Sequence, residues 1–443
     1  MFDGFDPLYE SRVTPLFGLF YARRLRTPFI GNKCFISMFI ARKQTFDRVS
    51  LPGLFYEANF MTRCGGIIIL SCFLFTTSSF ASFYDPVDGQ FDMGHHLAEN
   101  AHGFLPIPIL ITEPAVGYGG GVAGLFLHET DEEKRQRKQA ALSAIDGGAQ
   151  LVPSAMSVVG AVGTENETWF VFGGHRRSWM NDSIRYTGGG GFGVANLDLY
   201  TSINWGPIDH DLRIGTSTSV AVLSQKVQFR IGHTPWMLGI KQLLAKSEIE
   251  FDNMVLDRIL GNESVTSGLG LEAEYDTRDN LFYPTKGYKL SADYMVYDDA
   301  IGSDYNYRNL NIDGEAYIPI TNKWTLGLAA NYQSFEQQDL FVSPTAKPYV
   351  SLRGVSSYRY QGDEIETIQG QLTYSITHRW KVSGFYGSGV AKQDNGISHD
   401  STVNAGGVGF RYQIARRYGL HLGMDYAQSH EERAIYFNVG SGF

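Results

Sequence analysis

The sequence predicts an all-β fold, a transmembrane antiparallel β-barrel of about 16 strands with a long inward-folded loop. Three observations predict it. Apolar and polar residues alternate with period two in many short segments, as a strand with one face in lipid and one in a polar lumen requires. Tyr or Trp often closes one or both ends of the apolar face, where aromatic girdles meet headgroups. Charged residues make up only 19% of the 443 and glycine accounts for 50, while mean hydropathy is slightly negative, at −0.17. After the first eighty residues no apolar run approaches the ~20 residues of a spanning helix.

The alternation is clearest near the C-terminus. Ile435, Phe437, Val439 and Phe443 share a face, with Tyr436, Asn438, Gly440 and Gly442 opposite. A strand of this kind ending on Phe resembles the targeting signal read by the barrel assembly machinery, which implies that machinery as a partner during biogenesis. Upstream, Leu420, Leu422, Met424 and Tyr426 oppose Gly419, His421, Gly423 and Asp425; Trp324, Leu326, Leu328 and Tyr332 oppose Thr325, Gly327 and Asn331. Sixteen such segments can be placed between residues 117 and 443, the barrel domain. The first is near 117–127, and 184–194 and 197–205 are separate strands.

The chain before residue 117 divides into three parts. Residues 61–81 read as a secretory signal peptide: Arg63, an apolar core from Ile67 to Phe75, then Ser79 and Ala81 at the −3 and −1 positions of a cleavage before Ser82. Translation is therefore expected to begin at Met61, with residues 1–60 an over-long gene-prediction extension. Residues 82–116, with Pro86, Pro106, Pro108 and Pro114, read as an irregular periplasmic lead-in. His95, His96 and His102 there lack the Cys or carboxylate partners of a metal site and read as solvated loop.

Charge and cysteine usage fit export. Cys34, Cys64 and Cys72 all precede residue 82, so the exported part carries no thiol to mispair. Nine of the 37 basic and five of the 46 acidic residues also precede Ser82, leaving 28 and 41, a net of −13. No nucleic-acid footprint is present.

Glycine clusters are not nucleotide sites. Gly119-Gly-Gly121-Val-Ala-Gly124 has the spacing G-x-G-x-x-G, yet Pro114 precedes it and Leu125-Phe-Leu127 continues as strand rather than helix. Glycine within a barrel strand marks a bend or the close approach of another backbone. Lumenal Gly387, Gly389, Gly407 and Gly409 leave room for a loop, and about thirty residues between Ser334 and Ile365 supply one. Loops of that length are commonly functional.

Within it, Leu352-Arg353-Gly354-Val355, followed by Arg359-Tyr360-Gln-Gly362, resembles the Arg-Gly loop motif of the BamA/TamA outer-membrane superfamily, the bacterial surface antigens. Asp276-Thr-Arg278-Asp279, continuing through Pro284 to Gly287, resembles that family's hairpin entry. The resemblance implies an integral barrel in the outer membrane of a Gram-negative bacterium, surrounded by its lipids, in a short form without POTRA domains. It implies that Arg353 turns into the lumen. The family's usual acid partner has Gly387 in its place, so acceptors are expected on strands between 365 and 414.

The resemblance implies assistance in inserting or transporting proteins or lipids, with a protein or lipid client and no cofactor, metal or catalytic residue. A passive pore or transporter is the alternative. An outer-membrane lipid or peptide hydrolase is a third; His378 and His421 have serine neighbours, but no spacing singles out a trio.

Overall fold

The computed structural model describes residues 83–94, 104–112, 115–143, 155–205, 208–252 (with 254 and 257), 262–339, 342–393 and 400–441. The expected extension 1–60, signal peptide 61–81, His95, His96, His102 and Phe443 lie outside the described residues.

Sixteen strands form one antiparallel meander, each paired with its neighbour in the chain. They are β1 (Phe104–Ile111), β2 (Gly119–His128), β3 (Ala155–Thr164), β4 (Trp169–Trp179), β5 (Ile184–Trp205) and β6 (Ile208–Arg230). Next come β7 (Trp236–Phe251), β8 (Asn262–Asp276), β9 (Gly287–Tyr297), β10 (Tyr307–Pro319) and β11 (Trp324–Gln337). The last are β12 (Glu364–Ser375), β13 (Trp380–Lys392), β14 (Ser401–Ala415), β15 (Leu420–Ser429) and β16 (Arg433–Val439). One polar helix, α1 (Asp131–Ser143), lies between β2 and β3. No described helix is long and apolar enough to cross a membrane.

The strand number matches expectation, but two boundaries change. The stretch 82–116 is not wholly irregular: β1 occupies Phe104–Ile111 and pairs along its length with β2. Pro106 and Pro108 disguise it, because a proline survives in a strand only where its missing N–H faces an open edge. Conversely, 184–194 and 197–205 are one strand, β5. Asn196 at the supposed break is a brace, its Nδ2 donating to Asn166 O at 2.7 Å while Asn166 Nδ2 donates to Asn196 O at 2.9 Å.

The exterior is apolar. Val122, Val159, Phe192, Leu271, Ile368 and Val408 are exposed on the outer face. Trp169 and Trp179 mark the two ends of β4, ten residues or about 33 Å apart at ~3.3 Å per residue. With a strand tilt of ~40° that spans about 25 Å, the height of a lipid-facing band. Ile435, Phe437 and Val439 of β16 also face outward, while Tyr436 and Asn438 turn to the lumen, as their alternation requires.

One end of the barrel carries the β10–β11, β12–β13 and β14–β15 turns (the turn end), and the other holds the 338–363 connection (the loop end). The lumen is packed at both. Leu125 and Leu127 of β2 meet Ile414, Ala415, Tyr418 and Leu420 at the turn end. Val350, Leu352 and Val355 of the long loop pack on Ile365, Ala391, Val403 and Ala405 nearer the loop end. The sheet is nearly closed. Among the described residues β1 and β16 come near each other without strand pairing. This seam has a sequence cause: two prolines thin out the donors on the free edge of β1, and β16 is only 7 residues long.

Candidate functional site: two arginine–carboxylate locks in the barrel

The long loop descends into the lumen, as expected, and Arg353 stands at its tip. Its Nη1 donates to Asp425 Oδ2 at 2.7 Å and its Nη2 to Gln371 Oε1 at 3.0 Å. The guanidinium lies 3.5 Å from the ring centroid of Phe385, so a cation–π contact adds to the charge pairing. Asp425, wholly buried, is a hub. Arg411 donates to both of its oxygens, at 2.6 and 2.8 Å, and Asn438 Nδ2 donates at 2.7 Å. Loop, β14, β15 and β16 therefore meet on one carboxylate.

The expected span supplies one of the two acceptors. Gln371 lies within 365–414, but the carboxylate lies beyond it, on β15. The reason is steric. A side chain at Gly387 would meet Leu352 Cδ2 at 3.0 Å, so the loop's own leucine fills the space a β13 acid would need. Added carbons at Gly389 and Gly409 would collide with Val350 and with Asp425 respectively. Gly387 and Gly389 thus make room for the loop, while Gly409 makes room for Asp425 and Gly407 for Phe385.

The remaining motif residues fasten the loop to the final hairpin. Gly354, at φ +92, donates its N–H to Tyr436 Oη at 2.9 Å. Val355 is buried and Gly362 N–H donates to Pro348 O at 3.2 Å, closing the loop on itself. Arg359 pairs with Glu431 and Glu432 at 2.8 and 3.0 Å, Tyr360 Oη donates to Glu431 at 2.8 Å, and Ser356 N and Oγ both donate to Glu432 at 2.7 Å.

The hairpin-entry motif shapes the β8–β9 turn. Asp276 accepts from Arg278 N, Nε and Nη2 at 3.0, 3.1 and 2.9 Å, and Arg278 Nη1 reaches Glu315 at 2.9 Å. Asp279 accepts from Thr285 N and Oγ1 at 2.8 and 2.7 Å, on either side of Pro284 in sequence. Gly287, at φ +102 with its would-be side chain against Thr277, needs to be glycine.

The second lock closes the turn end, and sequence reasoning missed it. Residues 83–92 form a small hairpin with a Tyr84–Phe91 bridge. Its Asp85-Pro-Val-Asp-Gly89 turn presents carboxylates to two arginines on the barrel turns. Arg379, fully buried, donates to Asp85 at 3.1 Å, to Asp92 at 2.9 Å and to Asp88 through Nε and Nη2. Arg416 donates to Asp85 at 2.5 and 3.0 Å, and its backbone N–H donates to Asp92 at 2.9 Å. Burial disfavours the Asp88 carboxylate, but hydrogen bonds from Arg379 and His378 outweigh it and hold its pKa well below the usual range. Asp85 is lowered likewise, burial being overcome by Arg416 and the Val87 N–H.

The structure does not bring His378 and His421 into a common site. His378 Nε2 engages Asp88 at 2.6 Å, while His421 stacks on Tyr283 at 4.0 Å with its Nδ1 at 3.0 Å from Gly419 O.

These features define a class: a nearly closed 16-stranded antiparallel barrel with an arginine-anchored loop folded into its lumen. Residues 247–341 match the Omp85 superfamily domain. The match includes the Asp276–Gly287 motif and stops short of the Arg353 loop. No curated protein matches the chain. Among solved structures it is similar to BamA from Haemophilus ducreyi lacking POTRA domains 1–3, at 11% identity and TM-score 0.49, covering 76% of this chain and 69% of that one. It is also similar to CdiB from Escherichia coli (10%, 0.49, covering 76% and 62%) and CdiB from Acinetobacter baumannii (10%, 0.49, covering 77% and 59%). The chain thus spans less than two thirds of either CdiB.

Proposed function

We propose that this is an integral outer-membrane barrel that assists insertion or transport of proteins or lipids by offering its β1–β16 seam to a client. On this reading the turn end faces the periplasm and the loop end faces outward. The observation that supports it most directly is the unpaired seam, since a free strand edge offers backbone groups to an incoming strand. The loop adds to it. Through Asp425, Tyr436, Glu431 and Glu432 it holds β15 and β16 from inside, so its seating bears on how freely the seam parts.

A photo-crosslinking side chain at Leu110 on β1, compared with one at Leu271 on β8 in the opposite wall, tests the reading. Client adducts should form from Leu110 and not from Leu271. Equal yields, with outer-membrane protein and lipid profiles unchanged on depletion, would sink it. The alternative of a passive pore is favoured by the charged lumenal chamber of about 730 Å³ lined by Arg176, Arg185, Lys226 and Glu274. Planar-bilayer conductance with and without residues 337–364 discriminates. Steady conductance from the intact barrel supports the pore, and conductance only after deletion supports a plugged barrel.

A further inference from the structure

The hairpin at residues 83–92 has two unlike faces. Its carboxylates, Asp85, Asp88 and Asp92, are buried against Arg379 and Arg416. Its apolar side chains face the other way and are partly exposed: Phe83 is 41% exposed, Tyr84 61%, Val87 43% and Phe91 40%. Phe83 and Phe91 stack at 6.0 Å, so this is one ordered patch. A segment that only plugged the lumen would turn its rings inward and its acids to water. This one does the reverse.

Its position completes the argument. Phe91 O accepts a hydrogen bond at 2.7 Å from Tyr412 Oη. Tyr412 is an outward-facing residue at the turn end of β14, whose ring lies 4.7 Å from that of Trp380. Trp380 and Ile376, on the adjoining turn, are 43% and 52% exposed on the lipid side. The aromatic patch therefore continues the barrel's own girdle below the rim. Inward-turned acids leave that face without a carboxylate to repel or desolvate in an anionic headgroup layer.

We propose that residues 83–92 are an interfacial anchor: the aromatic face of the hairpin lies among the phospholipid headgroups of the leaflet at the turn end, while the carboxylate face is bolted to the barrel. Rings with one apolar and one polar part favour this depth, and the occupant of the patch is phospholipid. The inference rests on the barrel lying in a bilayer, as proposed above.

Single-cysteine chains test it, with Cys34, Cys64 and Cys72 changed to Ser and a nitrobenzoxadiazole dye at one position. The labelled protein is reconstituted in phosphatidylethanolamine/phosphatidylglycerol vesicles containing doxyl-labelled lipid. Tyr84→Cys and Val87→Cys should be quenched by shallow doxyl more than by deep doxyl, and at least roughly twofold more than Lys134→Cys on polar α1, as expected for an interfacial depth. Phe410→Cys on the lipid face separates the two possible failures. If Phe410→Cys is quenched while Tyr84→Cys and Val87→Cys match Lys134→Cys, the anchor is wrong and the membrane reading stands. If Phe410→Cys is not quenched, both fall. A blue-shifted dye at Tyr84→Cys without lipid quenching would mean burial in protein, which also overturns the anchor.

Discussion

The two locks use the same chemistry with the parts exchanged. In the first, the loop arginine Arg353 enters a wall whose carboxylate already has a cation, Arg411. In the second, at the turn end, three hairpin carboxylates meet a wall that holds the cations, Arg379 and Arg416. The difference lies in what remains when the loop or the hairpin leaves. Without the loop, Asp425 and Arg411 still satisfy each other. Without the hairpin, Arg379 loses all three of its carboxylate partners. The loop can therefore withdraw from a wall that stays intact, whereas the hairpin and its turns depend on one another.

Substitutions can break that comparison or sharpen it. The largest effect is expected from Asp425→Asn, which strips the charge partner from two buried guanidiniums. Removing one member of a buried ion pair costs on the order of 3–5 kcal/mol. The folded, heat-modifiable band should be lost at markedly lower temperature on gels. If Asp425→Asn melts like the parent chain, the hub is not what holds loop and wall together.

Arg379→Ala should have a comparable cost, on the order of 3–5 kcal/mol, but a confined one. Protease sensitivity should rise within residues 83–94 while the barrel's melting temperature changes little. A drop equal to that of Asp425→Asn would erase the distinction between the two locks. Acid gives the same reading without mutation. Because the Asp85 and Asp88 pKa values are lowered in the folded state, their contribution is complete above the ordinary carboxylate pKa of ~3.9. It is lost as pH falls through the lowered values. Pepsin cleavage at Phe83 and Phe91 should therefore remain slow near pH 4 and accelerate only in stronger acid; rapid cleavage already at pH 5 would contradict the lock.

Arg353→Ala should cost less than either, roughly 1.5–3 kcal/mol for a charged hydrogen bond, because Arg411 remains on Asp425. Arg308→Ala makes the smallest change. Arg308 is half-exposed and pairs with Glu336 at 3.7 Å, a surface pair worth about 0–1 kcal/mol. Melting temperatures of the two variants rank them, and equal values would deny the loop its internal anchor.

Most of the barrel was legible in period-two alternation, because the faces of a membrane strand must differ in polarity. β1 was not, since its two prolines read as irregular chain, and their tolerance depends on an open edge that only the closed sheet defines. The loop motif was legible with its direction, its glycine clearance and Arg353. The partner was not, because Leu352 decides it by filling the space beside Gly387. Asp425 was nevertheless visible as a lone carboxylate on the lumenal face of its strand. The hairpin left one local trace, the Asp-Pro-x-Asp-Gly turn signature at residues 85–89. Its meeting with Arg379 and Arg416 depends on pairings across most of the chain.

That separation has a consequence for the order of assembly. Every strand in the meander pairs with its immediate neighbour, so the sheet can grow one hairpin at a time. The N-terminal hairpin is the exception: Arg416 stands 331 residues beyond Asp85 and Arg379 stands 291 beyond Asp88. The hairpin is made before the sheet it locks and must wait for nearly all of it. Closing so long a loop has little to recover its entropy until both arginines are held in place by finished turns. A chain that stops before β14 can begin a barrel but has no Arg416 to receive Asp85, so residues 83–92 can lock only once the last turns are in place.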